Sequence, residues 1–90
     1  MIKRYKIIIS GKVQGVFFRR FIYESAVKLG LKGFVRNTED GKVEAVFEGK
    51  KEDINKIIEL CRKGPAAAKI ENIKIINERA LGEKEFVRKN

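Results

Sequence analysis

Tyr5-Lys6-Ile7-Ile8-Ile9-Ser10 runs into Gly11-Lys12-Val13-Gln14-Gly15-Val16 and then into Phe17-Phe18-Arg19-Arg20-Phe21-Ile22. Three textures follow one another here. Residues 2–10 alternate, with Tyr5, Ile7 and Ile9 on one face and Lys6, Ile8 and Ser10 on the other, the period of a strand. Two glycines then punctuate a loop. From Phe18, apolar or small residues recur at Phe21, Ile22, Ser25, Ala26 and Leu29, the spacing of an amphipathic helix that Gly30 stops.

A hairpin, a second helix and further strands follow, and no internal repeat, linker or low-complexity segment appears. Residues 31–37 return to an extended pattern. Thr38-Glu39-Asp40-Gly41 carries the Asp-Gly pair of a tight turn. A third strand follows, predicted with Val43, Ala45 and Phe47 inward and Lys42, Glu44 and Glu48 outward. Residues 51–63 place Ile54, Ile57, Ile58 and Cys61 on one helical stripe, ended by Gly64 and Pro65. Residues 68–78 read as a long fourth strand whose apolar phase slips near Glu71-Asn72, as a bulge would make it. A turn around Leu81-Gly82 leads to a short edge strand at 85–88. The order β-α-β-β-α-β, with right-handed crossovers, puts both helices on one face of an antiparallel sheet. This is the α+β, ferredoxin-like sandwich, expected as a single domain over residues 1–90.

Composition narrows the chemistry. The 90 residues include 21 Lys+Arg against 12 Asp+Glu, one Cys and no His, for a formal charge of +9. One Cys excludes a disulfide framework and the multi-cysteine zinc patterns. The lack of His removes the commonest general base and metal ligand. Residues 1–38 hold nine basic residues against the single acid Glu24, whereas residues 39–90 hold twelve against eleven. An anionic partner (nucleic acid, membrane or phosphorylated metabolite) fits that excess, and so does a surface that merely keeps a small domain soluble. The longest apolar run near the N-terminus, Ile7-Ile8-Ile9, is too short for a signal-peptide core or a membrane span, so a cytoplasmic location is expected.

Because the fold hosts binders and enzymes alike, function has to come from a site. The loop before the first helix offers successive backbone amides and a helix N-terminus, a natural anion cradle. Arg19 and Arg20 occupy the first helical turn, where the dipole favours acids, and a bound anion would relieve that conflict. An ordinary glycine turn with solvated arginines fits the same residues. Asn37 ends the second strand, where asparagine is also a common turn residue. Cys61 reads as a small core residue, and Phe17, Phe18 and Phe34 read as core more readily than as base-stacking platforms. No paired carboxylates and no metal cluster stand out.

Taken together, residues 11–19 resemble the G-x-V-Q-G-V-x-F-R signature of the acylphosphatase family. Leu29-Gly30-Leu31-Lys32-Gly33-Phe34-Val35-Arg36-Asn37 resembles its L-G-L-x-G-W-V-R-N segment, with Phe34 in place of the usual Trp. Asp40-Gly41-Lys42-Val43-Glu44 and Gly64-Pro65 follow in the family's order, so the resemblance covers essentially the whole chain. It implies metal-independent hydrolysis of acyl phosphates to carboxylate and inorganic phosphate, with no cofactor. It implies that Arg19 binds phosphate and Asn37 orients the attacking water. The backbone of Gln14, Gly15, Val16, Phe17 and Phe18 would form the phosphate-binding loop, while Arg20 has no matching role. The expected partners are a small acyl phosphate and its product phosphate, with no nucleic acid and no membrane, and the chain is expected to be a monomer.

Two rival classes share the fold. Lys32-Gly33-Phe34 resembles the opening of the RNA-recognition-motif octamer, but Val35 and Arg36 break it, and it lies on the second strand rather than the third. A non-catalytic interaction domain is the other, against which the intact Arg19 and Asn37 count.

Overall fold

The computed structural model describes residues 1–89; Asn90, the last residue of the expected domain, lies outside the described residues. The elements are β1 (Lys3–Lys12), α1 (Phe18–Lys28), β2 (Lys32–Asn37), β3 (Val43–Gly49), α2 (Lys51–Lys63), β4 (Lys69–Glu78) and β5 (Phe86–Arg88). They form one five-stranded sheet in the order β4-β1-β3-β2-β5. β1 runs two residues further than the alternation suggested, because Gly11 and Lys12 go on pairing with Ile70 and Lys69. The anticipated slip is present: Ser10 pairs with Asn72 and Gly11 with Ile70, so Glu71 is the extra residue.

The sheet is mixed rather than wholly antiparallel. β1, β2, β3 and β4 pair antiparallel, but β5 lies parallel to β2, with Gly33 opposite Phe86 and Val35 opposite Arg88. β4 and β5 occupy opposite edges, so the chain between them must cross the sheet and re-enter alongside β2 in the same direction. Gly33 makes the central pairing possible. Its φ is +132°, and a Cβ there would stand 1.9 Å from the Val46 carbonyl oxygen.

Alternation sends Ile7 and Ile9 of β1, Val35 of β2 and Val43, Ala45 and Phe47 of β3 to one side of the sheet. There they are fully buried against Phe18, Ile22 and Ala26 of α1 and Ile54, Ile57 and Cys61 of α2. Each large apolar side chain sealed in this layer contributes about 1.5–3 kcal/mol. Phe86 extends the core to the β5 edge, stacked on Phe47 with ring centroids 5.7 Å apart.

The opposite face corrects the sequence reading of β3. Glu44 and Glu48 do point away from the helices, yet they are 8% and 2% exposed. The crossing segment after β4 covers Glu48, while Glu44 pairs with Lys6 and Arg36. Glu48 accepts hydrogen bonds from the backbone N–H groups of Leu81, Gly82 and Glu83 at 2.6, 3.1 and 2.9 Å. Arg4, also buried, donates to Glu48, Glu78 and Glu83, each at 2.9 Å. Alternation reports which face a side chain takes, and the chain's later path decides whether that face is wet.

Candidate active site

The topology brings several termini to one end of the sheet. β1 and β2 both pair antiparallel with β3, so they point the same way, and β5 runs parallel to β2. The C-terminal ends of all three therefore meet at one rim. The loop from β1 into α1 lies there, with Asn37 at the end of β2 and Arg88 at the end of β5.

At that rim is a cleft of about 480 Å³ walled by Val13, Gly15, Phe17, Phe18, Arg19, Arg20, Asn37 and Arg88. The sequence-predicted Arg19 and Asn37, 18 positions apart in the numbering, thus share one cavity. Of the five expected loop residues, Gly15, Phe17 and Phe18 line it. Val16 is instead turned into the core at 6% exposure. The Gln14 side chain is turned to the hairpin, where its amide donates to the carbonyls of Thr38 and Lys42, both at 2.8 Å.

The loop conformation suits an anion. Gly15 has φ +72°, and Phe17, the one non-glycine residue with positive φ among the described residues, has φ 62° and ψ 23° at the N-cap of α1. A left-handed bulky residue costs of order 1–3 kcal/mol and persists only where its surroundings enforce it. Phe17 is not a core residue as the sequence suggested: it is 77% exposed, whereas Phe18, at 1%, is fully buried. No side chain caps α1, and its first turn holds no acid, in contrast to α2, whose first turn carries Glu52 and Asp53. The opening amides of α1 are thus left to whatever enters the cleft.

Arg19 is held by the chain's far end. Its Nη1 donates to the backbone carbonyl of Lys89 at 2.6 Å. A guanidinium has five N–H donors, so this contact fixes its direction while leaving others for a ligand. Arg20 donates through Nε to Glu24 one turn on, at 3.1 Å. Arg88 was missed by sequence reasoning, although one signal was there: it stands two residues after buried Phe86 and so shares the helix-facing side of β5.

Cys61 is fully buried, and burial pushes its thiol up to about 12, which agrees with a core residue. Among the described residues, no three of His, Cys, Asp and Glu come together as metal ligands would, and no helix is long and apolar enough to cross a membrane. Nothing favours the RNA-binding alternative. Phe34 is half-buried, with the Lys89 ammonium 4.1 Å from its ring centroid.

Comparison with known proteins gives a consistent result. The family model described as Acylphosphatase matches residues 5–88. An acylphosphatase of Syntrophus aciditrophicus is 43% identical over 83 residues, 92% of this chain and 86% of that protein. One from Pyrobaculum aerophilum is 48% identical over 81 residues, 89% of this chain and 85% of that protein. The crystal structure of acylphosphatase from Bacillus subtilis superposes with a TM-score of 0.94 at 35% identity, over 100% of both chains. A match across nearly the full length, in sequence and in fold, places this chain in the acylphosphatase family of hydrolases.

Proposed function

We propose that the rim cleft hydrolyses acyl phosphates without a metal or cofactor, with Arg19 and Asn37 as the catalytic pair. The observation that carries the reading is their convergence on one cavity, beside a helix N-terminus that has neither a side-chain cap nor an acid. The phosphoryl group enters the backbone cradle of the Gln14–Phe18 loop and takes charge-assisted hydrogen bonds from Arg19. Asn37 holds a water in line with the departing carboxylate, using one acceptor and one donor.

The attacking oxygen forms the new P–O bond as the phosphorus–acyl-oxygen bond breaks and its electron pair leaves on the carboxylate. The water proton passes to a phosphoryl oxygen of the substrate. A carboxylate leaves without protonation, so a general acid is not needed, and catalysis rests on positioning and on charge placed where it develops. This agrees with a chain that has no His.

The test is turnover of acetyl phosphate by the full chain with EDTA present, and its competitive inhibition by inorganic phosphate. Turnover that survives EDTA and disappears in the Arg19→Gln variant supports the reading. Turnover abolished by EDTA, or none at all, overturns it. A cytoplasmic, monomeric enzyme with no nucleic-acid or membrane partner completes the proposal.

A further inference from the structure

Two arginines converge on the cleft from distant parts of the chain. Arg19 reaches it from the first turn of α1, and Arg88 from the end of β5. One residue couples them. Lys89, next to Arg88, gives its N–H to the Val35 carbonyl at 2.8 Å and accepts Arg19 Nη1 on its own carbonyl at 2.6 Å. The described lining of the cleft includes no carboxylate. Among the described residues, a carboxylate pairs with the third lining arginine, Arg20, but with neither Arg19 nor Arg88.

The sheet directs Arg88 into the site. It lies opposite Val35 on parallel β5, and Val35 is fully buried beneath the helices. Phe86, two residues before Arg88, is buried on the same side, and Asn37, two residues after Val35, shares that face. The loop, by contrast, leaves β1, which β3 separates from β2. Asn37 and Arg88 therefore enter the cleft from the β2–β5 side, and the loop amides from the β1 side. Arg88 is exposed, so its fork is accessible to a ligand arriving from solvent.

We propose that Arg88 is a second phosphoryl-binding residue, which with Arg19 clamps the group being transferred. In the reaction proposed above, on which this inference rests, three phosphoryl oxygens share the developing charge. The loop amides and Arg19 take oxygens on the β1 side, and the Arg88 fork takes the oxygen turned towards Asn37 and its water. Two guanidinium groups drawn to one place repel each other, and a phosphoryl dianion between them turns that cost into attraction. The same clamp favours the doubly ionised form of the product, inorganic phosphate.

The experiment uses inorganic phosphate as the probe, bound to the full chain and followed by calorimetry and phosphorus NMR. Arg88→Gln should weaken its binding about tenfold at neutral pH and lower kcat/KM for acetyl phosphate by at least as much. Arg88→Lys should recover part of the loss, because a point charge remains without the fork. The pKa for the second ionisation of the bound phosphate should be higher in Arg88→Gln than in the wild type by about one pH unit, a change that a purely structural role would not produce. Arg20→Gln, whose charge Glu24 already offsets, should weaken phosphate binding far less. Arg62→Gln on α2 removes the same charge away from the cleft and should leave the affinity as it was. Unchanged phosphate affinity or unchanged ionisation in Arg88→Gln overturns the proposal. An equal loss in Arg20→Gln or Arg62→Gln also overturns it, because the effect would then be one of general charge. Acetyl phosphate turnover, measured alongside, separates the two readings, because its absence would count against the reaction while the phosphate affinities still report on Arg88.

Discussion

The side-chain amide of Gln14 donates to the backbone carbonyl of Thr38 at 2.8 Å, tying the loop before α1 to the residue that follows Asn37. Its second N–H reaches the Lys42 carbonyl at the same distance. Those carbonyls bracket the β2–β3 hairpin, which Thr38 closes through its own N–H to Lys42 at 2.9 Å. One amide thus fixes the spacing between the proposed phosphate cradle and the proposed water holder.

Gln14→Leu should accordingly lower kcat by about tenfold while KM moves little, because the proposed phosphate contacts come from the loop backbone and Arg19. Loss of two partly buried hydrogen bonds should also cost ~1–3 kcal/mol of stability. Steady-state kinetics with acetyl phosphate, paired with urea unfolding, separates the effects. A fall in kcat no larger than that of a comparably destabilised core variant would reduce Gln14 to scaffold.

Arg19 and Arg20 are neighbours with different partners, Lys89 for the first and Glu24 for the second. Arg19→Gln should cost ~3–4 kcal/mol of transition-state stabilisation, several hundredfold in kcat/KM for acetyl phosphate. Arg19→Lys should recover little, since an ammonium cannot span the phosphate as the fork does. Arg20→Gln should cost far less on this short substrate. Equal losses in the two variants would show that the pair has been assigned the wrong way round.

Asn37→Ala should reduce kcat by about a hundredfold and leave the inhibition constant of inorganic phosphate nearly unchanged, because in the proposed reaction Asn37 holds water rather than phosphate. Asn37→Asp, which keeps the acceptor and loses the donor, is also informative. Its negative charge beside the phosphoryl site should weaken phosphate binding as well. An alanine variant as fast as wild type would exclude Asn37 from the reaction.

Most of this frame was legible in the chain because local chemistry carried it. The Asp40-Gly41 turn, the glycine stops and the apolar stripe of α2 depend on neighbours a few residues away, and the slip at Glu71 shows as a change in alternation. What was not legible is non-local. The parallel pairing of β5 depends on which edge the crossing segment reaches. The burial of Glu48 depends on the Leu81–Glu83 backbone passing over it. The site divides in the same way. Arg19 and Asn37 stood out through their motifs, whereas the inward turn of the Gln14 amide and the arrival of Arg88 at the cleft require the assembled sheet.

Cys61 sits in a dry layer, and its raised pKa has burial as its cause. It should not react with a water-soluble disulfide reagent at neutral pH while the chain is folded, and should react at once in denaturant. Labelling of the native protein should then proceed at the rate of global unfolding, or of opening of α2. Fast labelling without denaturant would show that α2 detaches from the sheet far more readily than its four buried stripe residues imply.

The cluster around Arg4 predicts an acid limb. Burial alone would raise the pKa of Glu48, but the N–H groups of Leu81 and Glu83 and the Arg4 guanidinium outweigh it and hold the carboxyl below its ordinary value of 4.5. Glu78 is lowered too, chiefly by its hydrogen bond from Arg4. A lowered folded-state pKa gives stability that is complete above the unfolded value and lost as the pH falls below it. The protein should therefore hold its Tm from neutrality to about pH 5 and lose it progressively through and below 4.5, as Glu48 and Glu78 take up protons. Glu48→Gln should be less stable at neutral pH and have a flatter acid limb. Arg4→Met should be worse, by ~3–5 kcal/mol, because it strands Glu48 as a buried charge without its cation. Thermal melts of the three proteins from neutral to acid pH decide it: parallel acid limbs would mean that this cluster does not govern acid unfolding. Since the crossing segment hangs on Glu48 and leads directly into β5, the same titration should loosen Arg88 and the Lys89 carbonyl that holds Arg19. Activity should then fall with the acid limb in the wild type, and less steeply in Glu48→Gln.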